Sequence, residues 1–257
     1  MNNIHSQSSE DMSENSKLIR TDEDIRCAVE SWCTNSDSAI EKYGHISQWD
    51  TSRVTNMEAL FMCHESFNEN ISKWDVSNVT NMHDMFNYAI SFNQPIGTWD
   101  THNVTDMGGI FNGAISFNQP IGTWDTHNVT TMEAMFAYTT SFNQLIDTNE
   151  VKRLDGSTYM AWDTHNVTTM VAMFAYATSF NMPIGTWNTE NVTTMCGMFA
   201  YATSFNMPIG TWNTQNLIET DDMLEGATSF KQSIDNLESS FSDYINNSYY
   251  EDNEEDY

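Results

Sequence analysis

Histidine side chains recur at equivalent positions of this chain, where stacked imidazoles could bind a metal ion or a proton. His102, His127 and His165 occupy the same position of a repeating unit. Stacking of successive units would place them about 5 Å apart, which suits a transition-metal site or a group that titrates near pH 6. The alternative is a solvent-facing column, since serine, glutamate and glutamine hold this position in the other units.

A second column carries carboxylates, at Asp50, Asp75, Asp100, Asp125 and Asp163. Stacked carboxylates repel one another, so a calcium site is one interpretation. In the last units the column continues as Asn188 and Asn213. An amide replaces a carboxylate without loss where the side chain accepts hydrogen bonds from the backbone of its own turn. The change from aspartate to asparagine therefore favours a turn role.

No set of residues with the spacing of a catalytic site occurs in the sequence. There is no glycine-rich phosphate loop, no HExxH motif and no paired-cysteine zinc spacing. The cysteines Cys27, Cys33, Cys63 and Cys196 form no CxxC pair. We therefore expect a protein that is not an enzyme, with no catalytic residue, cofactor-binding residue or metal ligand.

The elements that must position these columns are repeats of 25 residues. Tryptophan begins each of seven repeats, at Trp49, Trp74, Trp99, Trp124, Trp162, Trp187 and Trp212. The gap between the fourth and fifth is 38 residues, one repeat plus an insertion of 13. Valine, methionine, phenylalanine and isoleucine recur in step with the tryptophans, and self-similarity of this period is typical of stacked repeats.

Each repeat contains a segment with the apolar spacing of a short helix. In repeat 2, Met82, Met85, Phe86 and Ala89 stand at i, i+3, i+4 and i+7. A short strand is expected shortly afterwards. One repeat buries too few side chains to offset the entropy cost of ordering its backbone, so neighbours must stack. We predict a leucine-rich-repeat-like repeat solenoid of about seven coils, each with a short helix and a short strand, and a helical N-terminal cap.

Four regions follow from this pattern. They are a disordered segment 1–20, a helical cap 21–48, a seven-repeat solenoid 49–236 with its insertion near 149–161, and an acidic tail 237–257. The first cap helix should bury a stripe formed by Ile25, Ala28, Val29 and Trp32. A second helix should end at Tyr43, with Gly44 behind it.

Two asparagine columns accompany the repeats. One follows the second phenylalanine, as in Asn68 and Asn93, and predicts a ladder of hydrogen bonds between repeats. The other lies in Asn-Val-Thr sequons such as that of Asn78. We interpret the sequons as by-products of the repeat rather than as glycosylation sites.

The repeats resemble those of the BspA-like bacterial surface proteins, a divergent leucine-rich-repeat family. The pattern W-D-x-S-x-V-T-x-M-x-x-M-F-x-x-A-x-x-F-N-x-x-I is matched over residues 49–234. The block Ala28-Val29-x-x-Trp32 is similar to one that precedes such arrays in proteins of microbial eukaryotes and their large viruses. The resemblance implies surface display, adhesion or protein binding, without a catalytic motif.

The charge of the chain limits its partners. Nine lysines and arginines against 36 aspartates and glutamates give a net charge of −27. That balance disfavours nucleic acid and anionic lipid, and it favours a protein partner with a basic surface. The sequence shows no transmembrane segment and no signal peptide, so an intracellular or virion-associated location is expected over classical secretion.

Two groups of residues are candidate partner contacts. Tyr88, Tyr138, Tyr176 and Tyr201 share one column, which is either an exposed aromatic stripe or partly buried against the next repeat. Lys152 and Arg153 lie in the insertion, which is either a contact loop or without a role. We expect a non-enzymatic protein-binding or structural module that uses a face of the repeats. The alternative is a metal-binding or pH-responsive protein that uses the histidine or aspartate column.

Overall fold

The computed structural model describes residues 18–153 and 155–234. The predictions for the remaining residues, including the acidic tail, lie outside this range. The elements in chain order are β1 (Ile19–Thr21), α1 (Ile25–Thr34), α2 (Ser36–Tyr43), a 3-10 helix (Ile46–Gln48), β2 (Asp50–Arg53), β3 (Asn149–Lys152) and β4 (Thr158–Ala161). Strand β1 pairs with β2 in parallel, and β3 pairs with β4 in an antiparallel hairpin.

The two helices near the N-terminus agree with the sequence prediction. Helix α1 buries the predicted stripe of Ile25, Ala28, Val29 and Trp32. The Asn35 side chain caps α2 by accepting a hydrogen bond from the Ser38 amide at 3.1 Å. Gly44 follows α2 with a φ of 75°, a left-handed conformation that glycine adopts without a steric penalty.

The predicted fold class, a leucine-rich-repeat-like solenoid of about seven helix-plus-strand coils, is wrong. The described residues contain two α-helices, both within residues 25–43, and two small two-stranded sheets. Residues 54–148 and 163–234 hold turns, bends and single bridges, without the helix and strand expected in every repeat.

The backbone of residues 82–89 shows why the helical spacing was misleading. Asp84 and Tyr88 have φ values of 55° and 54°, which an α-helix does not allow. The Asp84 amide donates to the Gly108 carbonyl at 2.8 Å, and the Tyr88 amide donates to that of Asn112 at 2.7 Å. A helix would direct these amides to carbonyls four residues back in the same segment. Instead, every second amide donates to a carbonyl of the next repeat. The amides between them donate to the carbonyl three residues back and so close tight turns.

Equivalent positions of successive repeats lie directly over one another. The rings of Trp99 and Trp124 are stacked with centroids 6.4 Å apart, and those of Phe86 and Phe111 are 5.7 Å apart. Single parallel bridges join equivalent residues along the array, at Asn56–Asn81, Asn81–Asp106, Asp106–Thr131, Thr131–Thr169, Thr169–Thr194 and Thr194–Glu219. The register therefore continues across the insertion.

The asparagine column after the second phenylalanine links the repeats, as predicted. The Asn68 Oδ1 atom accepts a hydrogen bond from the Asn93 amide at 2.9 Å, and the Asn93 Oδ1 accepts one from the Asn118 amide at 3.0 Å. The series ends at Lys231, whose amide donates to the Asn206 Oδ1 at 2.9 Å. In each of these pairs, the asparagine side chain of one repeat is the acceptor for a backbone amide of the next repeat.

A carboxylate completes the hydrogen bonds at the N-terminal edge of the array. Within the array, the Thr80 amide donates to the Thr55 carbonyl, 2.9 Å away in the preceding repeat. Thr55 itself has no preceding repeat, and its amide and hydroxyl donate to the Asp22 carboxylate at 2.8 and 2.6 Å. The Asn56 amide adds a third bond at 3.0 Å. Asp22 thus takes the place of a missing backbone acceptor.

We predict that Asp22→Ala lowers the free energy of unfolding by about 1 kcal/mol, since charge-assisted bonds at an exposed site are partly screened. Burial would raise the pKa of Asp22, but hydrogen bonds from Thr55 and Asn56 and the charge of Arg26 lower it. A lowered pKa stabilises the fold above about pH 4 and ceases to do so as the pH falls through the folded-state pKa. Urea unfolding should therefore show a smaller difference at pH 3 than at pH 7.

Glu65→Ala is the control, because Glu65 is exposed and its carboxylate bonds to no group in residues 18–153 and 155–234. A loss of stability for Glu65→Ala equal to that for Asp22→Ala, or a loss for Asp22→Ala that is undiminished at pH 3, would contradict the acceptor role of Asp22.

Candidate functional site

The tyrosine column forms an aromatic surface on repeats 4 to 6. The rings of Tyr138 and Tyr176 stack with centroids 4.6 Å apart, and those of Tyr176 and Tyr201 are 4.7 Å apart. Between 37% and 45% of each of these residues is exposed. Both sequence interpretations therefore hold in part, because each ring packs against its neighbour in the stack and still presents an edge to solvent.

Tyr88 stands apart from the other three tyrosines, although it is 48% exposed. The next repeat has Gly113 at the same position, and a Cβ atom there would lie 2.9 Å from the Tyr88 ring. The Tyr88 ring thus rests on a glycine instead of stacking on another ring. The structure brings together three of the four predicted tyrosines.

The backbone explains why these tyrosines point outward. Tyr138, Tyr176 and Tyr201 all have φ values of 57° or 58°, and each ends a turn that follows a buried phenylalanine. The Tyr138 amide donates to the Ala175 carbonyl at 2.7 Å. Positive φ is uncommon for a residue with a side chain, so the bonds between repeats must hold the conformation.

A second apolar cluster, separate from the core, lies beside the tyrosines. Its members are alanines: Ala134, Ala137, Ala172, Ala175 and Ala200. In repeats 1 to 3, the position of Ala137 is occupied by Met62, Asn87 and Asn112. We call the five alanines with Tyr138, Tyr176 and Tyr201 the tyrosine strip. The sequence analysis missed its alanine part, which the change of residue type between repeats 3 and 4 could have indicated.

Carboxylates lie around the tyrosine strip. Glu133 is exposed in repeat 4, and Asp221, Asp222 and Glu225 are exposed in repeat 7. The Tyr201 hydroxyl donates to the Glu225 carboxylate at 2.6 Å, and this hydrogen bond raises the pKa of Tyr201. The surroundings of the strip are therefore acidic.

The insertion folds as the hairpin of β3 and β4 and packs on the repeats. Arg153 is not a free contact, since its Nη2 atom donates to the Asp125 Oδ2 at 2.8 Å and its guanidinium lies 4.2 Å from the Tyr159 ring centroid. Lys152 is exposed to solvent. Of the two predicted basic contacts, the structure leaves Lys152 available and engages Arg153 within the chain.

Each of the three histidines pairs with the aspartate two residues before it. The Nδ1 atoms lie 2.9, 2.7 and 3.0 Å from the carboxylate oxygens in the pairs Asp100–His102, Asp125–His127 and Asp163–His165. We call these three pairs the acid–histidine row. Among the residues that the structure describes, no three histidine, cysteine, aspartate or glutamate side chains are grouped so that they could hold a metal ion.

Hydrogen bonds confirm the turn role of the aspartate column. The Asp75 Oδ1 accepts a hydrogen bond from the Ser77 amide at 2.9 Å, and the Asn188 Oδ1 accepts one from the Glu190 amide at 3.0 Å. Carboxylate and amide thus perform the same local function.

The asparagines of the Asn-Val-Thr sequons bond to the backbone. The Asn78 Nδ2 donates to the Ser52 carbonyl at 2.8 Å, and the Asn128 Nδ2 donates to that of His102 at 2.8 Å. These side-chain amides therefore help to join neighbouring repeats.

We predict that Arg153→Ala loosens the hairpin. Arg153 is 36% exposed, which screens its charge, but the variant leaves the buried carboxylate of Asp125 without this partner, so amide hydrogen exchange within β3 and β4 should become faster by about fivefold or more. Lys152→Ala is the control, because it removes a neighbouring charge that pairs with no carboxylate in residues 18–153 and 155–234, and it should leave exchange unchanged. Equal exchange rates in both variants would show that the ion pair does not anchor the hairpin.

One family model, described as "Mycoplasma protein of unknown function, DUF285", matches residues 33–149 and 149–254. No curated protein and no solved structure matches the chain. In the part of the chain that the structure describes, no helix has the length and apolar character needed to cross a membrane. Since the two matches together span most of the sequence, the chain belongs to the DUF285 family.

Proposed function

We propose that this protein is a non-enzymatic binding module that holds a protein partner on a face of its stacked repeats. The observation that carries this proposal is the tyrosine strip, where three exposed rings stack beside a cluster of alanines. Tyrosine is enriched where proteins meet, because it offers a large contact area, a hydroxyl group and few rotatable bonds.

The strip is rigid before any partner binds. Tyr176 has a ring on each side at 4.6 and 4.7 Å, which restricts its side-chain rotation. Its backbone is held by the amide hydrogen bond to the Ala200 carbonyl at 2.7 Å. A partner therefore loses little additional entropy in ordering these groups. The small alanine side chains would let the surface of a partner approach the backbone closely.

The charge of the protein supports a basic partner. The carboxylates of Glu133, Asp221, Asp222 and Glu225 surround the strip, and the whole chain carries a net charge of −27. Attraction between opposite charges at such an exposed surface weakens as salt is added. The resemblance to BspA-like repeats also favours protein binding, since it implies adhesion or surface display.

We predict that Tyr176→Ser weakens binding of a partner captured from the native host at least tenfold, because Tyr176 is the central ring of the strip. Tyr88→Ser is the matched control, since Tyr88 occupies the same column and is exposed but lacks a neighbouring ring. Binding constants for the captured partner would be measured with the wild-type protein and both variants, in low and high salt. Equal affinity of Tyr176→Ser and the wild type, or an equal loss for Tyr88→Ser, would contradict the proposed role of the strip.

A further inference from the structure

One carboxylate of the acid–histidine row, that of Asp125, contacts both a histidine and an arginine. The Asp125 side chain is only 5% exposed. Its Oδ1 atom lies 2.7 Å from the His127 Nδ1, and its Oδ2 atom lies 2.8 Å from the Arg153 Nη2. The histidine thus holds one oxygen and leaves the other for a guanidinium group.

The contact of Arg153 with this carboxylate is open to competition. Only one guanidinium nitrogen bonds to Asp125, whereas a carboxylate can accept two parallel bonds from arginine. The Arg153 side chain is 36% exposed. A cleft of about 330 Å³ lies between the hairpin and the row, and His102, Met160 and Asp163 line it beside the pair. The cleft is large enough for the side chain of another molecule.

The neighbouring pairs of the row repeat this arrangement without an arginine. The Asp100 Oδ1 lies 2.9 Å from the His102 Nδ1 in the same way, whereas the Asp163 Oδ2 lies 3.0 Å from the His165 Nδ1 without forming a hydrogen bond. The side chains of Asp100 and Asp163 are 52% and 29% exposed. In the described ranges 18–153 and 155–234, neither carboxylate pairs with a lysine or an arginine. The row is therefore an acidic surface on which Arg153 is the one bound guanidinium group.

We propose that the acid–histidine row binds an arginine side chain of a basic protein segment, and that Arg153 occupies this position in the free protein. The incoming guanidinium would take the Asp125 Oδ2 and the face of Tyr159 that Arg153 now covers. Displacement frees Arg153, so binding at the row loosens the contact that ties the hairpin to the repeats. The row and the tyrosine strip are formed by different positions of the repeat, and the proposal does not depend on the strip.

The test uses the full chain and the probe acetyl-Gly-Arg-Gly-amide, with the neutral citrulline analogue as the control peptide. Binding is followed by NMR from the shifts of the histidine ring protons. Arg153→Gln should bind the arginine peptide about tenfold more tightly than the wild type, because the internal competitor is gone. Asp125→Asn should lose this binding, and Asp75→Asn, at the same position of repeat 2, should retain it.

The proposal would be overturned if Arg153→Gln bound no more tightly than the wild type, if the citrulline peptide bound equally well, or if Asp75→Asn lost as much affinity as Asp125→Asn. Amide exchange of the wild-type protein with saturating arginine peptide is an independent readout, and it should show faster exchange in the hairpin. Tyr176→Ser should bind the peptide normally, so a failure of the tyrosine strip remains distinguishable from a failure of the row.

Discussion

The structure depends on backbone amides that alternate between two kinds of hydrogen bond. Along the segment after each methionine, one amide donates to the next repeat and the following amide closes a turn within its own repeat. In repeat 4, the Phe136 amide donates to the Met173 carbonyl at 2.9 Å, whereas the Ala137 amide donates to that of Ala134 at 3.1 Å. No repeat satisfies its own backbone, so each depends on its neighbours. The threonine amides donate in the other direction, to the preceding repeat, and at the N-terminal edge the Asp22 carboxylate supplies the acceptor for Thr55.

This dependence also organises the surface. Because equivalent residues lie over one another, any residue type that recurs in the sequence becomes a continuous column in space. The buried columns give stacked tryptophan and phenylalanine rings, and the exposed ones give the tyrosine strip and the acid–histidine row. A change of residue type in a few successive repeats, such as asparagine to alanine at the position of Ala137, therefore creates a local surface without altering the core. The hairpin of β3 and β4 interrupts the regular repeats, and it places Arg153 next to Asp125.

The sequence contains the period, the buried columns and the two N-terminal helices, since each depends on residue types at regular spacing. It also indicates the roles of Asn68 and Asp75, because amide and carboxylate side chains have few local hydrogen-bonding options. The backbone conformation of residues 82–89 could not be predicted from it. Their apolar spacing fits a helix, but buried side chains also recur at that spacing in consecutive turns with positive φ at Asp84 and Tyr88. The pairing of Arg153 was also hidden, because it joins residues 28 positions apart through an insertion that occurs once.

Disulfide formation within the tyrosine column tests the stacking of repeats most directly. Cys63 occupies this column in repeat 1, and its amide donates to the Asn87 carbonyl, next to Tyr88, at 2.8 Å. Neighbouring rungs about 4.8 Å apart fall within the range that a disulfide spans. Mild oxidation of Tyr88→Cys should link the new thiol to Cys63, whereas Tyr138→Cys, three repeats away from Cys63, should not form that link. Failure of the Tyr88→Cys variant to form the disulfide, or equal yields in the two variants, would contradict the stacked arrangement.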